Sequence, residues 1–337
     1  MFDTLERRRN RLGFTPFQAE FPWLGGDLQT LRNSFRESRI TPLIDAPARS
    51  IRFPMDDGSG DILIGQLHEG QGDKPLIFLV HGLTGCDGSP DVIVAARYFI
   101  ERGYPVLRLN QRGAGPTASL CKGFYHAGRS DDLRCVLNRL AEEFSAQGIV
   151  VIGSSLGGNA SLKLAGEYGD EPPLWLKAVV SICAPIDLFA TSYQFLKPRN
   201  HFYHRWLLQR MKRQCADPER PLPDWARAAA ISAKDTYDFD EKFTGPLNGW
   251  DGARQYYTVN SANRYMDDIR VPTLAITADN DPWVPSEPYH LFDWSRNQRY
   301  LTPLIARSGG HCGFHGKTGP WHLQMAELFL DNLADLA

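Results

Sequence analysis

The sequence predicts an α/β fold with a mostly parallel central sheet, helices on both faces and an inserted helical cap. Short apolar and β-branched runs alternate with amphipathic helical stretches, which is typical of a parallel sheet covered on both sides. Runs such as Leu76–Val80 are apolar throughout, as expected of a buried central strand. The alternation stops between residues 186 and 265, which predicts that the cap is inserted there.

The predicted strands follow this alternation in order. Strands at residues 51–54 and 61–67 should pair as antiparallel edge strands around the glycine-containing turn that separates them. Buried strands are expected at residues 76–80, 105–109, 149–152, 178–182, 273–277 and 300–305.

Helices are predicted between these strands. Pro90 is a favourable first helical residue, so a helix should begin there and end near residue 102. Ser130 should cap the next helix, because two aspartates follow it in the first turn. Further helices are expected at residues 159–168 and 320–336.

The stretch in which the alternation of strands and helices stops also predicts the division into domains. Residues 1–185 and 266–337 should form the α/β core, and residues 186–265, named here the cap segment, should form a helical cap. The cap segment contains 14 of the 38 aromatic residues, so it has the apolar side chains that a packed unit needs. A structureless loop of that length is uncommon inside a compact domain.

Composition and charge exclude several classes of protein. The 337 residues carry 37 basic and 39 acidic side chains, so no net positive field would attract a nucleic acid. The six cysteines are scattered and lack a C-x-x-C pair, which favours reduced thiols. The N-terminal residues are charged where a signal peptide is apolar, and no apolar run approaches the ~20 residues of a membrane span. We therefore predict a cytoplasmic protein, with peripheral membrane contact left open.

A nucleophile motif follows the run at residues 149–152. The pentapeptide at 153–157 fits G-x-S-x-G with Ser155 at its centre. A serine on a sharp strand-to-helix turn needs small residues two positions before and after it, and Gly153 and Gly157 meet that need. Ser154 is the alternative, but that register would put isoleucine and leucine in the cramped positions. Glycine-rich turns also bind phosphate, but the dinucleotide and P-loop patterns are absent from this sequence.

A serine nucleophile needs a histidine base and a carboxylate that orients the histidine. In this kind of fold the chain order is serine, acid, histidine. His311 lies in a glycine-rich loop after the last predicted strand, with His315 as the second choice. Asp281 follows the strand at 273–277 on a proline-containing turn, and Asp279 and Asp187 are the alternative acids.

The oxyanion of an acyl-transfer intermediate needs two backbone donors. Leu156 N–H follows the serine, and Leu83 N–H lies in the loop after the first central strand, where Gly82 permits close approach. His81 is better explained as a structural residue, because His311 already serves as the proton relay.

Seven motifs occur in order along nearly the whole chain: Gly25-Gly-Asp-Leu-Gln-Thr-Leu, His81-Gly-Leu-Thr-Gly, Gln111-Arg-Gly-Ala-Gly, Tyr125-His-Ala-Gly, Gly153-Ser-Ser-Leu-Gly-Gly-Asn, Asp279-Asn-Asp-Pro and Gly309-Gly-His-Cys-Gly-Phe. This ordered set resembles the α/β-hydrolase superfamily and, within it, the YheT-like esterase family. That family is related to yeast medium-chain ethyl-ester synthase/esterases and to some animal phospholipases. The resemblance implies ester hydrolysis by a triad of Ser155, Asp281 and His311. Asp27 departs from the pattern, because relatives often have histidine there.

The cap segment should cover the serine and contact the substrate, a small ester of short- to medium-chain acyl groups. Apolar residues suited to an alkyl chain, or to the core of the cap itself, are Phe195, Phe202, Tyr203, Trp206 and Leu207. Nearby basic residues either attract an anionic group or form a solvated face; these are Lys197, Arg199, Arg205, Arg210, Lys212 and Arg213.

No cofactor is predicted, and no metal, because the histidine pairs lack clustered carboxylates or thiolates at ligand spacing. The roles of Arg112, Tyr125 and His126 stay open. The predicted activity is carboxylic ester hydrolysis through an acyl-serine. Acyl transfer to an alcohol, thioesterase and lipase activities are alternatives, and a non-catalytic binding module is disfavoured because all three triad residue types are present.

Overall fold

The computed structural model describes residues 10–40 and 46–336. Eight strands form its central sheet: β1 (Arg49–Pro54), β2 (Ile62–His68), β3 (Leu76–Val80), β4 (Val106–Asn110), β5 (Ile149–Ser154), β6 (Leu176–Ile182), β7 (Thr273–Ala278) and β8 (Leu301–Ala306). They lie side by side in the order β1-β2-β4-β3-β5-β6-β7-β8. A short hairpin joins β9 (His315–Gly316) and β10 (Gly319–Pro320).

The register confirms the predicted fold class. β1 pairs antiparallel with β2, as predicted, and β2 pairs antiparallel with β4. All remaining neighbours in the sheet are parallel. The carboxyl ends of the parallel strands therefore meet at one edge, which is where ligand-binding loops gather in open α/β sheets.

The helices that precede or cover the sheet are α1 (Gly25–Phe35), α2 (Glu37–Ile40), α3 (Pro90–Ile100), α4 (Ser130–Phe144) and α5 (Leu156–Glu167). Successive residues of the buried strands pack into two different apolar clusters, one on each face of the sheet. Leu76 and Phe78 pack in one apolar cluster, and Ile77 and Leu79 pack in the other. All five residues of β3 are buried, which is why this strand is apolar throughout.

Between β6 and β7 the chain forms helices: α6 (Leu188–Leu196), α7 (His201–Ala216), α8 (Asp224–Ser232), α9 (Thr236–Phe239), α10 (Gly245–Leu247) and α11 (Ala253–Asn260). A π-helical turn, Asp240–Thr244, connects α9 and α10. After β7 come α12 (Glu287–Leu291) and α13 (Trp321–Asp331). Apolar residues of the cap segment pack with Leu156 and Tyr125 in a third cluster. The division into core and cap domains stays a prediction.

Three local expectations differ from the structure. Ser130 is the first residue of α4 rather than its cap, and its hydroxyl instead accepts a hydrogen bond from Lys163 Nζ at 2.9 Å. α5 begins at Leu156, three residues before the predicted start, because the turn at Ser155 leads directly into the helix. α1 was not expected, because it buries the polar residues Gln29 and Asn33 and so lacks apolar periodicity.

All six cysteines are free thiols. Within residues 10–40 and 46–336, no helix has the length and apolar character needed to cross a membrane.

Candidate active site

Ser155 lies at the sharp turn between β5 and α5. Its backbone has φ 53° and ψ −123°, a conformation that L-residues adopt only when the surroundings enforce it. Its N–H donates to Ile182 O at 2.8 Å, which fixes the turn against β6. A Cβ at Gly157 would lie 2.5 Å from Val80 O, and one at Gly153 would collide with the Gly157 carbonyl. Both glycines therefore permit the backbone approach that exposes the serine.

His311 and Asp281 form a buried pair. His311 Nδ1 lies 2.8 Å from Asp281 Oδ2, and both side chains are almost fully shielded from solvent. The other carboxylate oxygen accepts hydrogen bonds from the backbone N–H groups of Trp283 at 2.8 Å and Val284 at 2.9 Å. The Trp283 ring packs on the imidazole with centroids 4.7 Å apart. These contacts orient the imidazole and, among the residues that the structure describes, leave Nε2 without a hydrogen-bond partner.

The alternative acids and base occupy other environments. Asp279 contacts His290 at 2.7 Å on the surface, and Asp187 caps α6 by accepting from Ala190 N–H at 2.9 Å. Burial and neighbouring Arg32 lower the pKa of His315 to about 2. The structure therefore brings Asp281 to His311 and not to His315.

Helix α1 holds the loop that carries His311. The backbone N–H of His311 donates to Thr30 Oγ1 at 2.8 Å, and His315 N–H donates to Gln29 Oε1 at 2.7 Å. Asn280, which follows β7, holds the same loop: its Oδ1 accepts hydrogen bonds from the N–H groups of Gly309 and Gly310, both at 3.0 Å. The role of Thr30 and Gln29 in holding this loop was not predicted from the sequence. The signal available for it was that both are polar residues within the motif that begins at Gly25.

The two predicted oxyanion donors lie beside the serine. Leu156 N–H is at the first turn of α5, where backbone donors lack helical acceptors. Among the described residues, Leu83 N–H has no hydrogen-bond acceptor. The next amide, of Thr84, donates to Tyr125 Oη at 2.6 Å, and Thr84 itself has φ 59°. Tyr125 therefore holds the loop that presents Leu83.

Arg112 and His81 form buried contacts that connect segments of the core. The buried Arg112 guanidinium binds Asp132 at 2.6 Å, Asp61 at 2.7 Å and Asp57 at 2.8 Å. Burial lowers the pKa of His81 to about 4, so its ring stays neutral. His81 Nε2 accepts from Gln111 N–H at 3.2 Å, in keeping with a structural role.

The serine, the histidine and both leucines line one cavity of about 200 Å³. Phe195 and Leu207 also line it. Phe202 and Trp206 are exposed, while Tyr203 packs against the Trp283 ring at 5.6 Å. Of the five apolar cap residues that were candidates for substrate contact or for the core of the cap, Phe195 and Leu207 line the cavity.

The basic residues in α7 and just before it do not act as one cluster. Arg199 forms an ion pair with Asp27 at 2.9 Å, which joins α1 to the cap segment. Arg210 Nε contacts Thr84 Oγ1 at 3.3 Å, beside the loop that carries Leu83.

One group of side chains has the composition of a metal site. Ligand atoms of Cys183, His311 and Cys312 lie within 4.8 Å of one another. The hydrogen bond between the two thiols, together with burial, raises the pKa of Cys312, and burial raises that of Cys183. Because metals bind the thiolate form, the raised pKa values of both thiols indicate neutral cysteines packed in the core rather than metal ligands.

Known proteins resemble this chain in sequence and in fold. Residues 75–318 match the family described as alpha/beta hydrolase fold. The chain is 29% identical over 275 residues to the medium-chain fatty acid ethyl ester synthase/esterase 2 of Saccharomyces cerevisiae, covering 73% of this chain and 59% of that protein. It is 29% identical over 252 residues to YheT of Escherichia coli, covering 73% and 72%. The chain thus spans less than two thirds of the yeast relative.

Among solved structures, an esterase of Pyrococcus furiosus has a similar fold. It has a TM-score of 0.59 at 16% identity, covering 94% of this chain and 96% of that chain. At this identity the likeness concerns the fold alone.

Proposed function

This chain belongs to the alpha/beta hydrolase fold family, and we propose that it is a serine esterase that cleaves carboxylic esters through an acyl-Ser155 intermediate. The observation that carries the proposal is the pairing of His311 with Asp281 at 2.8 Å on the wall of the cavity that also holds the strained Ser155. Neither group alone would activate a serine hydroxyl.

In the proposed mechanism, His311 Nε2 removes the proton of Ser155 Oγ as that oxygen attacks the ester carbonyl carbon. The carbonyl oxygen becomes an oxyanion that accepts hydrogen bonds from the N–H groups of Leu83 and Leu156. The protonated imidazole, oriented by Asp281, then donates its proton to the leaving alkoxide, and the acyl-serine remains. A water molecule, deprotonated by the same imidazole, then attacks the acyl carbon. The bond between that carbon and Ser155 Oγ breaks, the imidazolium returns the proton to Oγ, and the acid is released.

The acyl portion is proposed to lie among the apolar residues of the cavity. Leu188, Phe195, Leu207, Met211 and Phe239 contribute apolar surface there. A cavity of about 200 Å³ favours short- to medium-chain acyl groups over long ones. We propose a reducing, cytoplasmic location, which the six free thiols support.

The experiment measures hydrolysis of p-nitrophenyl butyrate and labelling by a fluorophosphonate probe. Ser155→Ala should lose labelling and at least about 10³-fold in kcat, because the nucleophile is removed. Ser154→Ala is the matched control and should keep both. Asp281→Asn should lower kcat strongly, whereas Asp279→Asn should not. Labelling that moves to Ser154, or full activity of Ser155→Ala, would show that the proposal is wrong.

Acyl transfer to an alcohol is a second candidate. The catalytic imidazole is only 6% exposed and the cavity is mostly apolar, conditions that disfavour water relative to an alcohol. Product analysis with ethanol present separates the two reactions, because a transferase would form mainly the ethyl ester at low ethanol concentration.

A further inference from the structure

One part of the cavity wall is polar. It is contributed by the cap segment, where Thr236, Asp240 and Thr244 line the cavity together with Ser192 and Tyr257. The rest of the wall in the cap segment is largely aliphatic and aromatic. Tyr257 Oη contacts both Ser192 and Asp240, so part of this wall is satisfied from within. A purely apolar acyl group would offer no partner to the polar atoms that remain, at a cost in binding free energy.

Asp240 is the charged member of this wall. Burial raises the pKa of its carboxyl to about 6, although the Tyr257 and Thr244 hydroxyls oppose this by hydrogen bonding. Tyr257 Oη donates to Oδ2 at 2.7 Å. In the part of the chain that the structure describes, no arginine, lysine or histidine forms an ion pair with Asp240. The Asp240 carboxyl thus lines the cavity with hydroxyl partners and, among the described residues, without a cation.

The backbone here is unusual as well. Asp240 begins the π-helical turn, a type of bulge that occurs often at functional sites. The charged residues next to it have partners outside the cavity wall. Lys242 pairs with Asp238 at 2.8 Å, and Glu241 accepts from Ala253 N–H at 2.8 Å. Asp240 is therefore the acidic residue of this turn that lines the cavity.

Thr236 supplies a second, independent observation. Its side chain is 6% exposed, and its Oγ1 has no hydrogen-bond partner among the described residues. A hydroxyl beside a carboxylate in one wall offers both a donor and an acceptor. A neutral hydroxyl group of a ligand matches this pair, because it can donate to Asp240 and accept from Thr236.

We propose that Asp240 and Thr236 form a substrate-recognition subsite for a hydroxyl group, and that the preferred substrates are esters with a hydroxylated chain in the cavity. This inference rests on the proposed esterase function and deepens it. It assigns a specificity role to residues that lie far from the nucleophile motif in sequence.

The test compares kcat/KM for p-nitrophenyl hexanoate, octanoate and decanoate with that for their terminally hydroxylated counterparts. At the best-matched length, the wild-type protein should prefer the hydroxylated ester by on the order of 10- to 100-fold, since hydrogen bonds to charged groups are strong. Asp240→Leu should abolish or invert this ratio. Thr236→Val should lower the ratio about tenfold.

Asp238→Asn is the matched control, because Asp238 is in the same segment, pairs with Lys242 and does not line the cavity. It should leave the ratio unchanged. A ratio near one at every length, or a ratio that Thr236→Val and Asp240→Leu leave intact, would overturn the inference while the esterase proposal stands. If Asp240→Leu does not fold, the ratio measured for Thr236→Val tests the inference instead. Absence of any ester hydrolysis and of fluorophosphonate labelling in the wild type would overturn both.

Discussion

Replacing Tyr125 by phenylalanine removes one hydroxyl from beneath the proposed oxyanion loop. That hydroxyl accepts from Thr84 N–H at 2.6 Å and lies 3.2 Å from Gln214 Oε1. The ring should keep its place, because it stacks on Phe124 with centroids 5.0 Å apart and meets His81 at 5.5 Å. The substitution therefore removes the hydrogen bonds to Thr84 and Gln214 while the ring packing is kept.

The expected loss of activity can be worked out from the Thr84 N–H, which loses its hydrogen-bond acceptor. A buried donor left unsatisfied costs about 1–3 kcal/mol. Thr84 has a positive φ of 59°, so its peptide can relax once the bond is lost and move Leu83 N–H. Complete loss of an oxyanion donor costs about 2.7–4 kcal/mol, and a displaced donor should cost roughly half of that. We expect kcat to fall about 10- to 30-fold, with KM changed less than about twofold.

The assay is steady-state hydrolysis of p-nitrophenyl butyrate together with thermal unfolding. Tyr98→Phe is the control, because the Tyr98 hydroxyl donates to Glu327 at 2.5 Å, away from the cavity. It should lower the Tm without lowering kcat. An unchanged kcat in Tyr125→Phe, with the fold intact, would refute the view that Tyr125 positions the oxyanion loop.

Three further predictions concern the supporting structure. Thr30→Val leaves the His311 N–H without its acceptor and should lower kcat several-fold and the Tm by a few degrees, measured by the same assay and by thermal unfolding. Arg112→Met leaves buried carboxylates without their cation and should lower the free energy of unfolding by about 3–5 kcal/mol, measured with urea; a loss under about 1 kcal/mol would contradict this. Burial lowers the pKa values of His81, His315 and His322 to about 4, 2 and 3, so all three are neutral in the folded protein. The unfolded chain binds protons below pH about 6.5, and stability should therefore fall steadily as the pH drops from 6.5 towards 4. A flat stability profile over that range would contradict the burial of these rings.

The strands and the turn at Ser155 could be predicted because their signals are local. A strand buried on both faces must be apolar at every position, as Leu76–Val80 is. A turn that brings two backbone segments together requires glycine, as at Gly157. Both constraints act on neighbouring residues and so are visible in the sequence.

Helix α1 shows where such reasoning fails. Its inward face is Gln29 and Asn33, while Leu28 and Phe35 are exposed, so its pattern is the reverse of an amphipathic helix. Its stability comes from contacts across the chain, such as the bond from His315 N–H, 286 residues away. Composition and periodicity carry no information about such a partner.

Local patterns in the sequence were enough to predict an α/β sheet, a turn at Ser155, and a histidine and an acid late in the chain. The pairing of His311 with Asp281, the contact of Tyr125 with Thr84 and the place of Asp240 in the cavity wall became known only from the folded chain. The difference lies in the range of the interactions. Backbone conformation is governed by residues a few positions apart, whereas a hydrogen bond between side chains depends on where distant segments of the packed chain come to lie.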